Sequence, residues 1–546
     1  MSTPASESLG VEWWRGATIY QIYPRSFADS NNDGVGDLKG ITSRLDHVAS
    51  LGVDGIWLSP FFTSPMADFG YDVSDYCDVD PIFGTLSDFD AMIDRAHALD
   101  LKVIIDQVYC HTSDRHAWFA ESRQSQENGK EDWYVWADCR PDGTPPTNWL
   151  SVFGGPAWTW DGRRRQFYLH HFLKEQPTLN LHNPEVVEAL IEAGKFWINR
   201  GVDGFRLDAL NMGMHDLDMR DNPPLDNSGS ADRPFDMQKH TYTLSHPKME
   251  DVVEQFAAAF RSSGGDDFFT VAELGGAEPH RVMQAYTRGD DRLSTAYSFD
   301  LIGASSVSGD YMRDTLSKWS NDPSTGYPAW ALSNHDCVRV ASRWGIGDDL
   351  DANARLFALL HASFSGVTFL YQGEELGLPQ AEIPFERLVD PEGIANWPTS
   401  QGRDGARTPM PWHAGQPFGG FSEIEPWLPV NDSHIQLAVD TQELDPASML
   451  AFTREVVATR RESRTLRLGE YSVSPAPDNV LVVNRILEGD EWLCVYNFSD
   501  TPSDWPSQLG EGFAIMLAAN LATELGVPPE TLPPLGGFIA QKKPVS

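Results

Sequence analysis

The chain has 546 residues, 41% of them hydrophobic, which is enough for one large domain and one or two smaller ones. Its 79 acidic and 41 basic residues give a net charge of −38, which argues against nucleic acid and anionic membranes as partners. A small neutral substrate is most compatible with this negative charge. Most of the charge is explained by a solvated acidic surface.

Strand-like and helix-like patterns alternate along the chain, which is typical of a parallel α/β architecture. Apolar runs predict eight strands, at 18–23, 53–59, 101–108, 202–207, 268–272, 293–299, 329–332 and 367–371. Amphipathic patterns predict helices at 41–51 and 87–99, between the first three strands. Eight strands in this order predict a (β/α)8 TIM barrel over residues 1–109 and 181–464.

Two long segments interrupt the alternation, and such segments at strand ends commonly carry function. Residues 110–180 are rich in Trp and Gly and are long enough to form an excursion subdomain after strand three. Residues 211–246 are polar, rich in Pro, Asp and Asn, and predict a long loop or lid after strand four. Beyond about residue 465 the helical pattern ends, and runs at 480–483 and 492–498 predict a C-terminal antiparallel β domain over 465–546.

Oxygen-bearing side chains alternate around a glycine in the run DSNNDGVGD, residues 29–37. This spacing resembles the start of an EF-hand loop and predicts a structural Ca²⁺ or Mg²⁺ site. The candidate ligands are the side chains of Asp29, Asn31, Asp33 and Asp37 and the carbonyl of Val35. Gly40 stands where a bidentate Glu closes an EF-hand, so a polar turn without an ion is the alternative. No organic cofactor is predicted.

Three apolar runs end in carboxylates, at Asp208, Glu273 and Asp336. A buried parallel strand that ends in an acid delivers it to the carboxyl end of a barrel, so the three acids are expected to share a pocket. Each acid alone is better explained as a helix cap or surface ion pair, but their joint appearance after successive strands favours a shared site. Cleavage of a glycosidic bond requires such a pair of carboxyl groups. Arg206 shares a strand face with Asp208 and is expected to keep it ionised, whereas apolar neighbours raise the pKa of Glu273.

The five cysteines are scattered without metal-ligand spacing, and their odd number predicts free thiols in a reducing compartment. The first 16 residues lack the basic and apolar stretches of a leader, and no run is long and apolar enough to cross a bilayer. We therefore predict a cytoplasmic protein, with a mature secreted chain as the alternative. The sequence does not predict the oligomeric state.

The motifs GFRLDAL, TVAEL and LSNHD, in this order on a barrel with an excursion after strand three, closely resemble glycoside hydrolase family 13, the α-amylase family. The runs ATIYQIYPRSF, DFGYDVSDY and GRDGARTPMPW resemble its α-glucosidase and oligo-1,6-glucosidase group. The resemblance covers almost the whole chain, and several motifs in fixed order are far more specific than any single one.

The resemblance implies that Asp208 is the nucleophile, Glu273 the general acid/base and Asp336 the residue that stabilises the transition state. It implies a substrate-binding set of Asp68, Tyr71, His111, Arg206, His335 and Arg407, in which Tyr71 offers a stacking face and Arg407 reaches the same sugar. A retaining mechanism places the two reacting carboxyl groups about 5 to 5.5 Å apart. Many α-amylases bind calcium through an Asn at the position of Cys110, so that second calcium is not expected in this chain.

The implied function is a retaining α-glucosidase that releases glucose from the non-reducing end of short α-glucosides through a covalent glycosyl-enzyme. In the resembled group, Ala or Thr after the nucleophile goes with α-1,4 bonds and Val with α-1,6 bonds, so Ala209 predicts maltose-like substrates. A transglucosylase and a sucrose or α-1,6-glucoside hydrolase are the alternatives that use the same site. A noncatalytic starch-binding module, or a transporter's partner subunit with lost carboxylates and an added membrane helix, fits the sequence less well.

Overall fold

A computed structural model of the chain describes residues 11–226, 233–521 and 526–543. The remaining parts of the predicted domains and of the 211–246 segment, at 1–10, 227–232, 522–525 and 544–546, lie outside the described residues. Among the described residues, no helix combines the length and the apolar character needed to span a bilayer. All five cysteines are free thiols.

Eight parallel strands form a barrel whose positions confirm the eight predicted strands. They are β1 Thr18–Ile22, β2 Gly55–Leu58, β3 Lys102–Val108, β4 Gly204–Asp208, β5 Phe269–Leu274, β6 Thr295–Ser298, β7 Ala329–Ala331 and β8 Val367–Tyr371. Their order is β6-β5-β4-β3-β2-β1-β8-β7, and a parallel bridge between Ala296 and Pro328 links the two ends. The barrel is therefore nearly closed, as a TIM barrel requires.

Helices surround the barrel because the faces that they turn inward are apolar. The longer helices are α1 Leu38–Ser50, α2 Leu86–Ala98, α3 Pro184–Ile198, α4 Met249–Gly264, α5 Pro279–Thr287, α6 Gly309–Ser317, α7 Leu350–Ser363 and α8 Met449–Glu462. The shorter ones are Ala117–Ser122, Phe299–Ile302, Val340–Arg343, Pro391–Asn396, Asp432–Gln436, Val439–Gln442 and Arg464–Leu468. Large buried side chains such as Trp57, Ile104, Val271 and Phe369 belong to one cluster and fill the barrel interior.

The segment after β3 carries a three-stranded antiparallel sheet of Trp136–Ala137, Gln166–Leu169 and Trp158–Asp161, in that order. It has its own apolar cluster, in which Trp149 and Trp158 stack with ring centroids 5.6 Å apart. An excursion with its own sheet and core is therefore present where the sequence predicted one. The exact domain boundaries, 110–180 and 465, stay predictions.

The segment after β4 forms the short 3-10 turns Leu210–Met212 and Pro234–Met237 rather than long helices. It packs on the excursion, since Asn148 Nδ2 donates to Asn222 O (2.9 Å) and Asn222 N donates back to Asn148 Oδ1 (2.8 Å). Gln238 Nε2 also donates to Asn148 O (2.8 Å). These contacts hold the segment, which we call the β4 loop, beside the carboxyl end of the barrel.

The C-terminal part folds into a five-stranded antiparallel sheet, which confirms the predicted β domain. Its strands are β9 Glu470–Val473, β10 Val480–Leu487, β11 Asp490–Asn497, β12 Phe513–Ala519 and β13 Gly537–Lys542, in the order β9-β10-β11-β13-β12. A short pair, Ser503–Asp504 with Thr531–Leu532, lies beside it. One face of the sheet carries a separate apolar cluster that includes Val482, Leu493 and Phe538.

Candidate active site

Three carboxylates from different barrel strands line one cavity of about 850 Å³. Asp208 is the last residue of β4, Glu273 is next to last in β5, and Asp336 lies in the turn that follows β7. All parallel strands of a barrel end on the same face, so their terminal side chains converge there. The structure thus brings together the three acids that the sequence predicted to be catalytic.

The buried guanidinium of Arg206 contacts two of these acids, Asp208 and Glu273, and a further acid, Asp106. Its Nη1 donates to Asp208 Oδ1 (2.5 Å) and to Asp106 Oδ1 (2.8 Å), while its Nη2 contacts Glu273 Oε1. The Tyr297 hydroxyl accepts from Arg206 Nε and Nη2 (3.1 and 2.9 Å) and donates to Glu273 Oε1 (2.9 Å). The side chains of Asp208 and Glu273 are therefore held around one positive charge, that of Arg206.

Burial dominates the electrostatics of this cluster. It raises the pKa of Asp208 to about 7 and that of Glu273 to about 7, and the opposing charge of Arg206 only partly offsets it. The pKa of Asp106 rises to about 6 for the same reason. One guanidinium faces three carboxyl groups, so the cluster retains a proton near neutral pH. The expected hydrogen bond from Arg206 to Asp208 is present, but it does not outweigh burial.

Asp336 has a different environment, because it faces two guanidinium groups. Arg407 Nη2 lies 2.7 Å and Arg403 Nη1 3.3 Å from its Oδ1, and His335 Nε2 lies 3.1 Å from its Oδ2. Burial alone raises the pKa of Asp336, but the adjacent His335 ring and, above all, the two guanidinium charges of Arg407 and Arg403 outweigh burial and hold the pKa well below its usual range. Asp336 is thus the acid of the three that stays charged.

Arg403 links the sugar-binding candidate Asp68 to the catalytic acid Asp336. Its Nη2 donates to Asp68 Oδ1 (2.8 Å) and to Asp390 Oδ1 (2.6 Å). Asp68, Asp336 and Arg403 line the cavity, whereas Asp390 lies behind Arg403. Gln176 Nε2 donates to the other oxygen of Asp68 (3.0 Å). Both oxygens of Asp68 are therefore oriented at the cavity wall, as a residue that grips a sugar hydroxyl requires.

Tyr71 and His335 stack, with ring centroids 5.2 Å apart and planes 6° from parallel. Gln21 Nε2 donates to His335 Nδ1 (2.8 Å), so the ring proton resides on Nε2, 2.5 Å from the Tyr71 hydroxyl oxygen. Tyr71 in turn donates to Asp106 Oδ2 (3.1 Å). Burial lowers the pKa of His335 well below its ordinary value, so the ring is neutral. Tyr71 lines the cavity, and His335 supports it from behind.

His111 also lines the cavity, and the unusual Cys110 lies against it. Cys110 Sγ is 2.9 Å from His111 Nδ1, and His111 Nε2 is 2.9 Å from Tyr71 O. Burial lowers the pKa of His111 to about 4 and raises the pKa of the Cys110 thiol, so the pair consists of a neutral ring and a protonated thiol. The thiol donates to Nδ1, and Nε2 carries the ring proton.

Arg206, His335 and Arg407 do not line the cavity, although the sequence placed all three in the substrate-binding set. Arg407 is fully buried and donates to His335 O (2.7 Å) and to Asp336, so it would influence a bound ligand only through those groups. Sequence reasoning missed Arg403, which lies in the same run GRDGARTPMPW, and Asp106, which follows an apolar run just as Asp208 does. The pattern of Asp106 was visible in the sequence, whereas nothing in the run distinguishes Arg403 from Arg407.

Much of the cavity wall is apolar. Its wall includes Phe153 and Phe172 from the excursion, Met212 and Phe235 from the β4 loop, and Phe299 after β6. Phe235 stacks on His240, with ring centroids 3.7 Å apart. Charged side chains such as Lys239, Glu278 and Arg281 share this wall, so the cavity combines apolar surfaces with polar groups, as sites for small ligands do.

The predicted cation loop forms a polar turn in front of α1. Asp37 caps α1 by accepting from Gly40 N (2.7 Å), Asp29 accepts from Asn32 N (2.7 Å), and Asp33 accepts from Val35 N (2.9 Å). Within the described part of the chain, no three His, Cys, Asp or Glu side chains form a group able to hold a metal ion. The donor set of the loop is entirely oxygen, and nothing described donates to the Val35 carbonyl, so the set suits a hard cation.

Comparison with other proteins gives the same family throughout. The family model "Alpha amylase, catalytic domain" matches residues 21–469. A probable alpha-glucosidase of Rhizobium meliloti is 49% identical over 500 residues, which is 90% of each chain. An oligo-1,6-glucosidase of Heyndrickxia coagulans is 35% identical over 92% of this chain and 96% of its own.

Two solved structures share the complete architecture. The alpha-glucosyl transfer enzyme XgtA has a TM-score of 0.91 at 46% identity and covers 98% of this chain and 100% of its own. The trehalulose synthase MutB of Pseudomonas mesoacidophila has a TM-score of 0.88 at 30% identity, with the same coverage. The chain therefore belongs to glycoside hydrolase family 13, the α-amylase family, in its α-glucosidase and oligo-1,6-glucosidase group, and is a glycoside hydrolase.

Proposed function

We propose that the protein is a retaining α-glucosidase that removes glucose from the non-reducing end of short α-glucosides, with maltose-like α-1,4 bonds preferred. The observation that carries this proposal is the position of Asp208 and Glu273, which contact one guanidinium, Arg206, inside a single cavity. Hydrolysis with retention requires such a pair, one carboxylate to attack and one carboxyl to protonate.

In the proposed first step, Asp208 attacks the anomeric carbon while Glu273 gives its proton to the leaving oxygen. The bond from that carbon to the leaving oxygen breaks, and an ester between the sugar and Asp208 forms. In the second step Glu273 takes a proton from water, which attacks the same carbon and releases Asp208. Because the pKa values of Asp208 and Glu273 are both about 7, one of the two can be charged while the other is protonated near neutral pH, and the charged Asp336 stabilises the positive charge that develops on the sugar.

The linkage preference is supported by Ala209, which follows the nucleophile and lines the cavity. The short-substrate preference is supported by the β4 loop, which walls the cavity through Leu225, Phe235 and Leu244. The name Maltase 1, of a Drosophila virilis relative at 38% identity, agrees with this preference, whereas the name of the Heyndrickxia coagulans relative, oligo-1,6-glucosidase, agrees with the α-1,6 alternative.

Two measurements test this proposal. NMR of fresh reaction mixtures should show the α anomer of glucose as the first product, and the β anomer first would exclude retention. The relative kcat/KM for maltose, isomaltose, sucrose and soluble starch should be highest for maltose, and starch as the best substrate would overturn the exo-acting pocket.

Transglucosylation is the second candidate, and the apolar surfaces of the cavity wall favour it because they offer a place for a sugar or alcohol acceptor. The similarity to a glucosyl transfer enzyme supports the same alternative. The ester on Asp208 is common to both reactions, so only the acceptor differs. Product analysis at high maltose concentration decides between them, because transfer yields trisaccharides whereas hydrolysis yields only glucose.

We further propose that residues 29–37 hold a structural Ca²⁺ or Mg²⁺ ion through Asp29, Asn31, Asp33, Val35 and Asp37, distant from the reacting sugar. The all-oxygen donor set supports this proposal. A cation there would tie the turn to α1, which Asp37 caps, and so raise stability by mass action. Chelator should therefore lower the melting temperature and added Ca²⁺ or Mg²⁺ restore it, whereas an unchanged melting temperature would exclude a structural ion.

A cytoplasmic location likewise stays a proposal from the sequence.

A further inference from the structure

An ion pair joins two loops that start on opposite sides of the barrel. Arg233 Nη1, in the β4 loop, lies 3.0 Å from Glu392 Oε1, in the segment after β8. In the strand order, β4 and β8 are four positions apart in a ring of eight, so they face each other across the barrel. Both residues also line the cavity that holds the catalytic acids, so the contact joins loops from opposite sides of the barrel at that cavity.

Each partner of the pair is held in place by further charged groups. Asp236 Oδ2 lies 2.9 Å from Arg233 Nε, within the same 3-10 turn of the β4 loop. Glu392 lies in the first turn of the helix Pro391–Asn396, whose N-cap residue is Asp390. Asp390 also binds Arg403, which contacts Asp336. The pair is therefore connected on one side to the catalytic machinery and on the other to the β4 loop.

Both side chains line the cavity, and Glu392 retains only 12% of its side-chain exposure while Arg233 retains 31%. A cavity of this volume accommodates a ligand of a few rings. A short glucoside fits beneath the ion pair, whereas a longer chain that leaves the cavity on this side must pass through the place that the pair occupies.

We propose that the Arg233–Glu392 ion pair is a strap across the barrel mouth that determines the length of the substrates. This inference rests on the proposed α-glucosidase function. While the strap is closed, only short α-glucosides place their terminal glucose at Asp208. Longer chains bind only when the pair separates, so they bear the energetic cost of breaking it.

The experiment compares kcat/KM for maltotetraose with kcat/KM for maltose. In Arg233→Met this ratio should rise about fivefold, since a partly exposed ion pair contributes up to roughly 1 kcal/mol. Arg140→Met is the matched control, because Arg140 binds Asp221 of the same loop at 2.7 Å but does not line the cavity. The ratio should stay at the wild-type value in this control.

Glu392→Gln removes the other charge with little change in shape, and it serves also if Arg233→Met folds poorly. The double variant should raise the ratio no further than either single variant, because both remove the same interaction. A wild-type ratio in both single variants, or an equal rise in Arg140→Met, overturns the strap. A wild type that cleaves neither substrate would instead refute the proposed function, so the two failures are distinct.

Discussion

The hydroxyl of Tyr297 controls the proton that Asp208 and Glu273 share. It donates to Glu273 Oε1 at 2.9 Å, and this hydrogen bond favours the ionised form of Glu273. Tyr297→Phe removes the donor and retains the ring. Because the charged form loses a partner, the pKa of Glu273 should rise above its present value of about 7.

The size of the shift follows from the strength of that bond. A hydrogen bond to a charged group contributes about 1.5 to 3 kcal/mol, and 1.36 kcal/mol corresponds to one pKa unit. Arg206 stays in contact with Glu273, so the lower end applies and the shift is about one unit. Glu273 must be protonated to assist the leaving group, so the alkaline limb of the kcat/KM profile for maltose should move up by about one pH unit.

The assay is kcat/KM for maltose against pH for wild type, Tyr297→Phe and Tyr286→Phe. Tyr286 is the matched control, since its buried hydroxyl has no hydrogen-bond partner in the described part of the chain and lies outside the cavity. The two acids titrate as a coupled pair, so the limb reports the pair rather than one residue. An alkaline limb that stays in place, or that moves to lower pH, in Tyr297→Phe would refute the reasoning.

Three further substitutions test other parts of the site. Arg403→Gln deprives Asp336 of one guanidinium and should lower kcat/KM for maltose about 10²-fold; an unchanged value would show that Arg403 does not position Asp336. Cys110→Ala should lower kcat/KM about fivefold, because His111 loses the donor to Nδ1, while Cys110→Ser should restore it; equal losses in both variants would exclude this role. Glu273→Gln should nearly abolish kcat/KM for maltose but spare kcat/KM for α-glucosyl fluoride, because kcat/KM reports formation of the glycosyl-enzyme and fluoride leaves without a proton; equal losses on both substrates would contradict the acid role.

The barrel was predictable because its strands are short apolar runs separated by amphipathic helices. Asp208 and Glu273 could be placed for the same reason, since each belongs to a strand whose end is fixed by the barrel. The acid Asp106 lies in β3, in a run of the same kind, so the pattern that identified the other acids also applied to it. Its position differs, because Asp106 lies two residues before the end of β3 whereas Asp208 is the last residue of β4.

Side chains on loops were harder to place, because their direction depends on turns that have no periodic pattern. Arg403 and Arg407 flank the 3-10 turn Asp404–Ala406, which directs Arg403 to the cavity and Arg407 behind His335. A run of sequence does not reveal which of the two arginines faces the sugar. The contact between Arg233 and Glu392 was likewise unpredictable, because 159 residues separate the partners.

The role of Asp208 as the attacking carboxylate is tested most directly by trapping the covalent intermediate. The enzyme is incubated with 5-fluoro-α-glucosyl fluoride, which forms the glycosyl-enzyme faster than water releases it, and the labelled peptide is identified by mass spectrometry. We expect one fluoroglucosyl group per chain, on Asp208, and no labelling of Asp208→Asn. A label on Asp336 or Glu273, or full activity on maltose in Asp208→Asn, would contradict the account.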